Sequence, residues 1–351
     1  MVCYRCGTEL VTDAVAADTA LLALASRLAA DAGRGRARML TRLAGGNNNR
    51  VYRIETEAGE TLVLKHYFSD HRDRRDRLAA EWNFLELAWA RNVRVVPEPL
   101  ACDAAVRAGL YSFVPGRKLT TAELTPFHIA AAADFVLAMN VPPRASLAPA
   151  SEACFSLAEH IATVERRVAR LHQLDTDAPH VQEARRFIAG KLAPTWNTVK
   201  ARLEREAHDA GLTMDQKLGE GDCCLSPSDF GFHNALIGTQ DLNFLDFEYA
   251  GRDDPAKLIC DFFCQPEIPV PLRYHTGFVA RLAQGLMLDE AARERCRILM
   301  DVYRIKWVGI MLNDFLPLGA SRRIFATGDD QEARCARRLA AAEAKIAEIG
   351  A

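Results

Sequence analysis

The stretch Leu225–Asp246, LSPSDFGFHNALIGTQDLNFLD, constrains the fold of this chain more than any other. Asp229 is followed five positions later by Asn234, and Asp246 ends an apolar run twelve positions after that. The pattern predicts a loop, a strand, a turn and a second strand. Phosphoryl transfer requires a carboxylate that orients a hydroxyl, together with an amide and a second carboxylate that bind Mg²⁺. An ordinary hairpin with polar loop residues gives the same pattern, because Asp and Asn are common in turns.

Three short segments upstream alternate apolar and polar residues as strands do, over 38–43, 51–55 and 62–68. Lys65 lies inside the third, in the apolar run LVLKHY, where a buried charge needs a partner. Glu81 follows on the amphipathic segment LAAEWNFLELAWA and could supply the partner carboxylate. In kinases, a strand Lys paired with a helix Glu fixes the α- and β-phosphates of the nucleotide.

The loop between the first two of these strands contains Gly45, Gly46 and Asn47, followed by two more asparagines. Glycine and asparagine tolerate positive φ, and such loops let backbone N–H groups surround an anion. The sequence is not a GxGxxG motif. We therefore interpret it either as a loop over phosphates or as an ordinary hairpin loop.

Helices are predicted on both sides of this strand-rich region. The segment 18–32 predicts a helix with Asp18 as N-cap. Residues 93–103 predict a Pro-broken edge strand, and 109–114 predict a strand that ends at a Pro-Gly hinge. The helical segments after the hinge are 124–140, 155–174, 181–210, 271–285, 290–315 and 330–349. Pro194 is expected to kink or split the third of them.

Length and composition limit the possible functions. A chain of 351 residues exceeds the size of one typical core, so we expect an N-terminal extension with an added helix (1–36), a sheet domain (37–114) and a helical domain (115–351). The net charge of -2 argues against a nucleic-acid partner. No apolar run reaches the ~20 residues of a membrane span, and the first residues lack a secretory signal. We therefore expect a cytoplasmic protein that does not enter a membrane.

The ten cysteines are scattered and are expected to be reduced thiols. Cys3 and Cys6 form a C-x-x-C pair, which is half of a zinc ribbon, but no second pair follows.

Taken in order, the Gly/Asn loop, strand Lys, helix Glu, hinge, D-x₄-N and strand-borne Asp resemble the aminoglycoside phosphotransferase and choline kinase branch of the protein-kinase-like fold. The resemblance runs from about Arg38 to Phe315. The segment 244–262, FLDFEYAGRDDPAKLICDF, is similar to the second catalytic signature of that family. It implies an α+β, two-lobed fold with a small antiparallel-sheet N-lobe and a larger, mostly helical C-lobe.

The same resemblance implies roles for individual residues, with ATP and Mg²⁺ as cofactors. Asp229 would be the catalytic base, and Asn234 and Asp246 would bind Mg²⁺. Lys65 would contact the α- and β-phosphates, held by Glu81.

Further roles follow from the resemblance for the nucleotide. Gly45, Gly46 and Asn47 would lie over the phosphates, and Ser112 and Val114 would offer backbone groups to adenine.

Around the metal, Glu248 would support the metal site. Asp254 and Asp261 resemble the structural acids of the family, which leaves two roles open: they cap a helix or tie down the catalytic loop, or they take part in the chemistry.

The acceptor would lie against the segment 303–315, with Lys306, Trp307 and Asp314 as its candidate contacts. Lys306 counts against a polycationic acceptor, and the spacing of Trp307 is also typical of helix packing. We expect ATP- and Mg-dependent phosphorylation of a hydroxyl on a small molecule, such as a sugar, an amino alcohol or an aminoglycoside-like acceptor. The link after Asp246 is too short to dock a long peptide, which disfavours a protein-serine kinase.

The sequence departs from the family at one point. The family usually reads H-G-D-x₄-N, whereas Pro227 and Ser228 precede Asp229 here. The missing histidine normally braces the loop, so two interpretations stay open: an active enzyme, or a nucleotide-binding pseudokinase with a regulatory role. His233, directly before Asn234, either takes over part of the bracing or is an ordinary loop residue.

Overall fold

The structure is a computed structural model that describes residues 7–43, 49–70, 73, 75–142, 147–238, 241–317 and 331–350. These residues form two compact units. The first unit contains the described parts of Met1–Arg74 and Pro97–Val114. The second contains those of Arg75–Val96, Pro115–Ile324 and Gly328–Ala351.

The first unit is one helix and a five-stranded sheet in the order β1-β2-β3-β5-β4, with antiparallel neighbours. Its elements are α1 (Gly7–Asp31), β1 (Ala37–Leu43), β2 (Arg50–Thr56), β3 (Thr61–His66), β4 (Pro99–Asp103) and β5 (Ala108–Ser112). The predicted edge strand is confirmed as β4. It begins only at Pro99, after Pro97, which has no N–H to donate to a sheet ladder.

Helix α1 covers one face of this sheet. Ala25, Leu28 and Ala29 are buried against alternating residues of the strands, including Ile54 and Leu64. The prediction that Asp18 caps the helix is wrong, because α1 begins at Gly7 and Asp18 lies inside it. The Ala-rich sequence before Asp18 has high helix propensity and carries the helix further back.

The second unit is mostly helical. Its helices are α2 (Arg77–Ala90), α3 (Pro126–Met139), α4 (Leu157–Arg170), α5 (Val181–Phe187), α6 (Ala193–Asp209), α7 (Pro255–Cys264), α8 (His275–Leu286), α9 (Glu290–Ile298), α10 (Met300–Met311) and α11 (Gln331–Ile346). The predicted break near Pro194 is confirmed, because a π-helical turn at Ile188–Leu192 separates α5 from α6. The single helix predicted over 290–315 is wrong. Helix α9 ends at Ile298 and α10 begins at Met300, with Leu299 between them; both helices pack on α7, and α10 also packs on α4 and α11.

Two short antiparallel strand pairs complete this unit. Strand β6 (Cys224–Ser226) pairs with β9 (Gly251–Asp253), and β7 (Ala235–Ile237) pairs with β8 (Leu242–Phe244). These four strands connect the segments that carry the predicted catalytic and metal-binding residues.

The cysteines that the structure describes form no disulfide, which agrees with the expected reduced thiols, and all of them except Cys102 are buried. None of the helices in the described ranges is long and apolar enough to cross a bilayer.

Candidate active site

The β7–β8 hairpin brings the two predicted metal ligands to one end. Ala235 pairs with Phe244, so Asn234 and the residues after Phe244 leave the ladder together. The Leu245 N–H donates to the Asn234 carbonyl at 2.8 Å, which extends the pairing by one step. Asp246 is the next residue. The antiparallel register therefore explains why an amide and a carboxylate twelve positions apart lie at the same hairpin end.

The loop before the hairpin holds Asp229 in a tight turn. Ser228 has a φ of 68°, a left-handed conformation that is uncommon outside glycine, and its N–H donates to Ser226 Oγ at 3.0 Å. The Phe230 N–H donates to the Ser228 carbonyl at 2.8 Å. Asn234 Nδ2 donates to the Asp229 carbonyl at 3.0 Å, which ties the start of the hairpin to the loop.

The Asp229 carboxylate is one-third exposed and faces His233, whose Nε2 lies 3.3 Å from Oδ1. Burial of the group opposes ionisation, but the nearby His233 and Lys306 charges and the hydrogen bonds of the loop hold the pKa of Asp229 below its usual value. Burial likewise opposes charging of His233, and the Asp229 carboxylate raises the His233 pKa above its usual value. Asp229 is therefore ionised at neutral pH, as a general base must be.

Asp246 has a φ of 67°, a second left-handed non-glycine residue in this region. The next residue, Phe247, donates its N–H to Glu81 Oε1 of α2 at 3.4 Å, and its ring stacks on Phe84 with centroids 4.8 Å apart. Helix α2 thus holds the segment that follows Asp246 by one polar and one aromatic contact.

The ring of Phe135 on α3 contacts both the segment that carries Asp229 and the segment that carries Asp246. Phe135 packs on Phe230, directly after Asp229, and on Phe247, directly after Asp246, with centroids 5.8 and 5.9 Å apart. It also stacks on Phe244 of β8 at 4.7 Å. Sequence reasoning missed Phe135. The available signal was an aromatic residue directly after each acid.

Sequence reasoning also missed Asn140, the buried C-cap of α3. Its Nδ2 donates to the Leu225 carbonyl at 2.9 Å, and its Oδ1 accepts from the Leu225 N–H at 2.8 Å. The side chain therefore mimics a neighbouring strand along one edge of β6, while β9 pairs with the other edge.

The charged candidates for metal support and acceptor binding all have protein partners. Glu248 is buried with Arg77, with Oε2 and Nε 3.5 Å apart. Lys306 Nζ donates to both carboxylate oxygens of Asp261 at 2.7 Å, and Trp307 Nε1 donates to Asp261 Oδ1 at 2.9 Å.

Asp314 is buried against α11, with its two oxygens 3.6 Å from Arg334 Nε and 3.5 Å from Arg338 Nε. The roles of Glu248, Lys306, Trp307 and Asp314 toward ligands stay predictions.

Asp254 accepts from the Ala256 N–H at 2.8 Å and so caps α7, which confirms the capping alternative for this acid. Asp261 lies inside α7 and pairs with Lys306 instead.

Lys65 belongs to the first unit, on the sheet face opposite α1. It is 7% exposed, and its ammonium lies 5.2 Å from the centre of the Tyr67 ring. Tyr67 and Tyr111 share a 2.7 Å hydrogen bond between their hydroxyls. The predicted pairing of Lys65 with Glu81 joins residues of different units and stays a prediction.

In the same unit, the Ser112 N–H donates to the Glu98 carbonyl at 2.9 Å. The Val114 backbone makes no hydrogen bond within the described ranges, so its N–H and C=O are available to a ligand. Gly45, Gly46 and Asn47 lie outside the described residues, as do Cys3 and Cys6.

The donor set fits Mg²⁺ rather than a softer metal. Asn234 uses Nδ2 for the loop, and its Oδ1 makes no hydrogen bond to any residue the structure describes. Amide and carboxylate oxygens are ligands that Mg²⁺ prefers, with the remaining positions filled by water and substrate phosphates. In the described part of the chain no three His, Cys, Asp or Glu side chains cluster as a metal site.

Comparison with known proteins decides the family. The model of the family described as "Phosphotransferase enzyme family" matches residues 40–296. The chain belongs to this phosphotransferase family. The family assignment supports a small-molecule phosphotransferase, and it confirms the resemblance drawn from the motifs. No curated protein matches the chain significantly.

Solved structures share the fold of this family member. They include a choline kinase from Cryptosporidium parvum Iowa II, with 12% identity, 89% of each chain covered and a TM-score of 0.54. Choline kinase LicA from Streptococcus pneumoniae has 15% identity, with 89% of this chain and 94% of that chain covered and a TM-score of 0.54.

Macrolide 2′-phosphotransferase MphH from Brachybacterium faecium has 16% identity, with 91% and 97% covered and a TM-score of 0.52. These similarities confirm the predicted α+β, protein-kinase-like fold.

Proposed function

We propose that this phosphotransferase is a kinase that uses Mg-ATP to phosphorylate a hydroxyl group of a small molecule. The main support is the β7–β8 hairpin, which carries Asn234 and Asp246 at one end while Asn234 is bonded to the main chain of Asp229. Backbone strain at Ser228 and Asp246 adds support, since such strain costs about 1–3 kcal/mol and concentrates at functional sites. We assign nucleotide binding to residues 37–114, and acceptor binding and catalysis to 115–351.

Asp229 would act on the acceptor. Its ionised carboxylate would accept the proton of the attacking hydroxyl as the new O–P bond forms and the bond from the γ-phosphorus to its bridging oxygen breaks. Positioning and charge account for most of such a reaction, because little covalent chemistry is left to the protein. The turn at Ser228 and the Asn234 hydrogen bond would keep the carboxylate in place during the step.

The remaining candidates would hold the nucleotide. When bound, Mg²⁺ would neutralise charge on the β- and γ-phosphates, held by Asn234 Oδ1 and the Asp246 carboxylate. Lys65 would contact the α- and β-phosphates with Glu81 as its partner.

Gly45, Gly46 and Asn47 would cover the phosphates. For adenine, we favour the Val114 backbone over Ser112, because the Ser112 N–H is already bonded.

For the acceptor, we favour sugars and amino alcohols over polycations. Lys306 and Asp314, both predicted to line the acceptor site, are each ion-paired inside the protein. A polycation gains affinity from carboxylates that lack such partners. Glu248 is paired with Arg77, and we infer that it supports the metal segment rather than the acceptor.

A nucleotide-binding pseudokinase is the alternative. It would need Lys65 and Asp246 but has no use for an oriented Asp229 carboxylate. The hydrogen bonds that hold the Asp229 loop and the contact of its carboxylate with His233 therefore favour the active enzyme.

A screen for acceptor-stimulated ADP release tests the proposal. The panel contains sugars, amino alcohols and aminoglycosides, each with wild type and with Asp229→Ala. We expect at least one sugar or amino alcohol to stimulate ADP release by wild type only. Binding of Mg-ATP in a thermal-shift assay, without turnover on any acceptor, would favour the pseudokinase instead.

A further inference from the structure

His233 occupies a defined place in the candidate site. It lies in the 3₁₀ turn Phe232–Asn234, between the proposed base and the first proposed metal ligand. Its Nε2 is 3.3 Å from Asp229 Oδ1, and its side chain is 14% exposed, against 33% for the carboxylate it faces. The geometry suits an Nε2–H that donates to Oδ1 and leaves the other carboxylate oxygen to the acceptor.

Gly231 leaves the space that the imidazole ring of His233 occupies. A Cβ atom on Gly231 would lie 2.7 Å from Nδ1 of His233 and 3.1 Å from Cγ of Gln265, so no larger residue fits without displacing the ring. Gln265 is itself fixed, because its Oε1 accepts from the N–H groups of Glu267 and Ile268 at 3.0 and 3.1 Å. Gly231 has an extended backbone, so close approach rather than φ explains the glycine.

The other ring nitrogen, His233 Nδ1, is buried and has no hydrogen-bond partner in the part of the chain that is described. Among the described residues the hydrogen bond of the ring is therefore to Asp229, and this contact orients both the ring and the carboxylate. The loop has no histidine on its other side, where Pro227 and Ser228 precede Asp229.

We propose that His233 is a positioning residue for phosphoryl transfer, which donates a hydrogen bond from Nε2 to Asp229 and fixes the orientation of the base. The inference rests on the proposed function. The acceptor proton moves to the other oxygen of Asp229 as the acceptor O–P bond forms and the bond from the γ-phosphorus to its bridging oxygen breaks, with the electron pair leaving on ADP. His233 keeps its own proton throughout. A histidine four positions after the base thus replaces the brace that usually precedes it.

Three substitutions test the role through kcat and KM. His233→Ala is expected to lower kcat on the order of 10²-fold with both KM values unchanged, because a misoriented base costs that much while ground-state binding does not involve the ring. His233→Gln should recover much of kcat, since its terminal amide reaches nearly as far as Nε2. His233→Asn is too short and should resemble alanine. His208→Ala, at an exposed position of α6, is the matched control and should behave as wild type.

Gly231→Ala supplies an independent test of the same contact. Its methyl group should displace the ring and lower kcat in the wild-type background, with a much smaller effect in His233→Ala, where no ring remains. Equal effects in both backgrounds would overturn the proposal, and so would a His233→Gln variant no better than alanine. If His233→Ala keeps the acceptor turnover of wild type, this inference alone is overturned. If the wild-type chain itself shows no acceptor turnover, the proposed function is overturned as well.

Discussion

Asp246 has a left-handed backbone, although it is not glycine, and it directly precedes the aromatic ring that anchors its segment. Such strain persists only where surrounding contacts impose it, and here the next residue, Phe247, contacts Glu81 and Phe84. Asp246 therefore combines a held backbone with a carboxylate, which is the kind of ligand that the proposed Mg²⁺ site would need.

Replacing Asp246 by Asn should weaken Mg-nucleotide binding by about 10- to 100-fold, because one anionic ligand is lost while the side-chain shape is kept. Titration calorimetry with Mg-ADP measures the effect. Asp241→Asn removes the same charge at an exposed position of the same hairpin and should leave the affinity unchanged. Equal affinities for Asp246→Asn and wild type would show that Asp246 is not a metal ligand.

Asp254 makes folding stability depend on acid pH. Burial opposes its ionisation, but His160 Nε2 at 3.2 Å and Arg295 Nε at 3.1 Å hold its pKa below the ordinary value of 3.8. Because the folded-state pKa is below the unfolded one, the stabilisation is present above pH 3.8 and is lost as the pH falls below it.

Asp254→Asn keeps a good helix cap but cannot titrate. Below the ordinary Asp pKa, the unfolding free energy of wild type should therefore fall more steeply than that of the variant, by up to about 1.4 kcal/mol per pH unit. Urea unfolding at several acid pH values measures both slopes. Parallel slopes would mean that Asp254 is not held ionised by its partners.

Helix α3 packs against the segments that carry Asp229 and Asp246 through the ring of Phe135. Phe135→Ala should destabilise the second unit by about 3–5 kcal/mol, because a buried aromatic ring is lost and a cavity remains. Phe127→Ala, on the same helix but 59% exposed, is the matched control and should change stability by less than about 0.5 kcal/mol. Denaturant unfolding compares them. Similar losses for both variants would contradict the central packing role of Phe135.

The strands and the hairpin could be predicted from the sequence because their signals are local. Alternation identified β2 and β3, and the spacing of Asn234 and Asp246 identified the β7–β8 hairpin. Asn140 could not be found this way, because its partner Leu225 lies 85 positions away and no periodicity links them. Periodicity also failed at Leu299, since buried residues continue on both sides of the break and both helices pack on α7.

The candidate site combines local and distant contacts. The motif predicted Asp229, Asn234 and Asp246, and the hydrogen bonds of Asp229 with His233 and Asn234 are local, but the contacts that hold the segment after Asp246 come from α2. Glu81 was identified from the sequence, yet as a partner for Lys65, whereas its bond to the Phe247 N–H joins positions 166 apart.

At the scale of the molecule, burial determines which of the described cysteine thiols a reagent can reach. Burial raises the pKa of Cys264 and Cys296 to about 12, so neither forms a thiolate readily in the folded chain. Cys102 is exposed. In a chain with Cys3 and Cys6 replaced by serine, we expect a colorimetric thiol reagent to modify one thiol quickly and the others only after unfolding.

Cys102→Ser in that background should remove the fast phase. Several fast thiols in the native chain would contradict the buried positions of the other cysteines.

The proposed function depends on Asp229 as the base of an active kinase. The decisive measurement compares kcat and Mg-nucleotide affinity in Asp229→Asn, using the acceptor that stimulates wild type, with Asp241→Asn as control. We predict that kcat falls by about 10²- to 10⁴-fold in Asp229→Asn while nucleotide affinity stays at the wild-type value. A variant that retains wild-type kcat would contradict the account, because the acceptor hydroxyl would then lose its proton without this carboxylate.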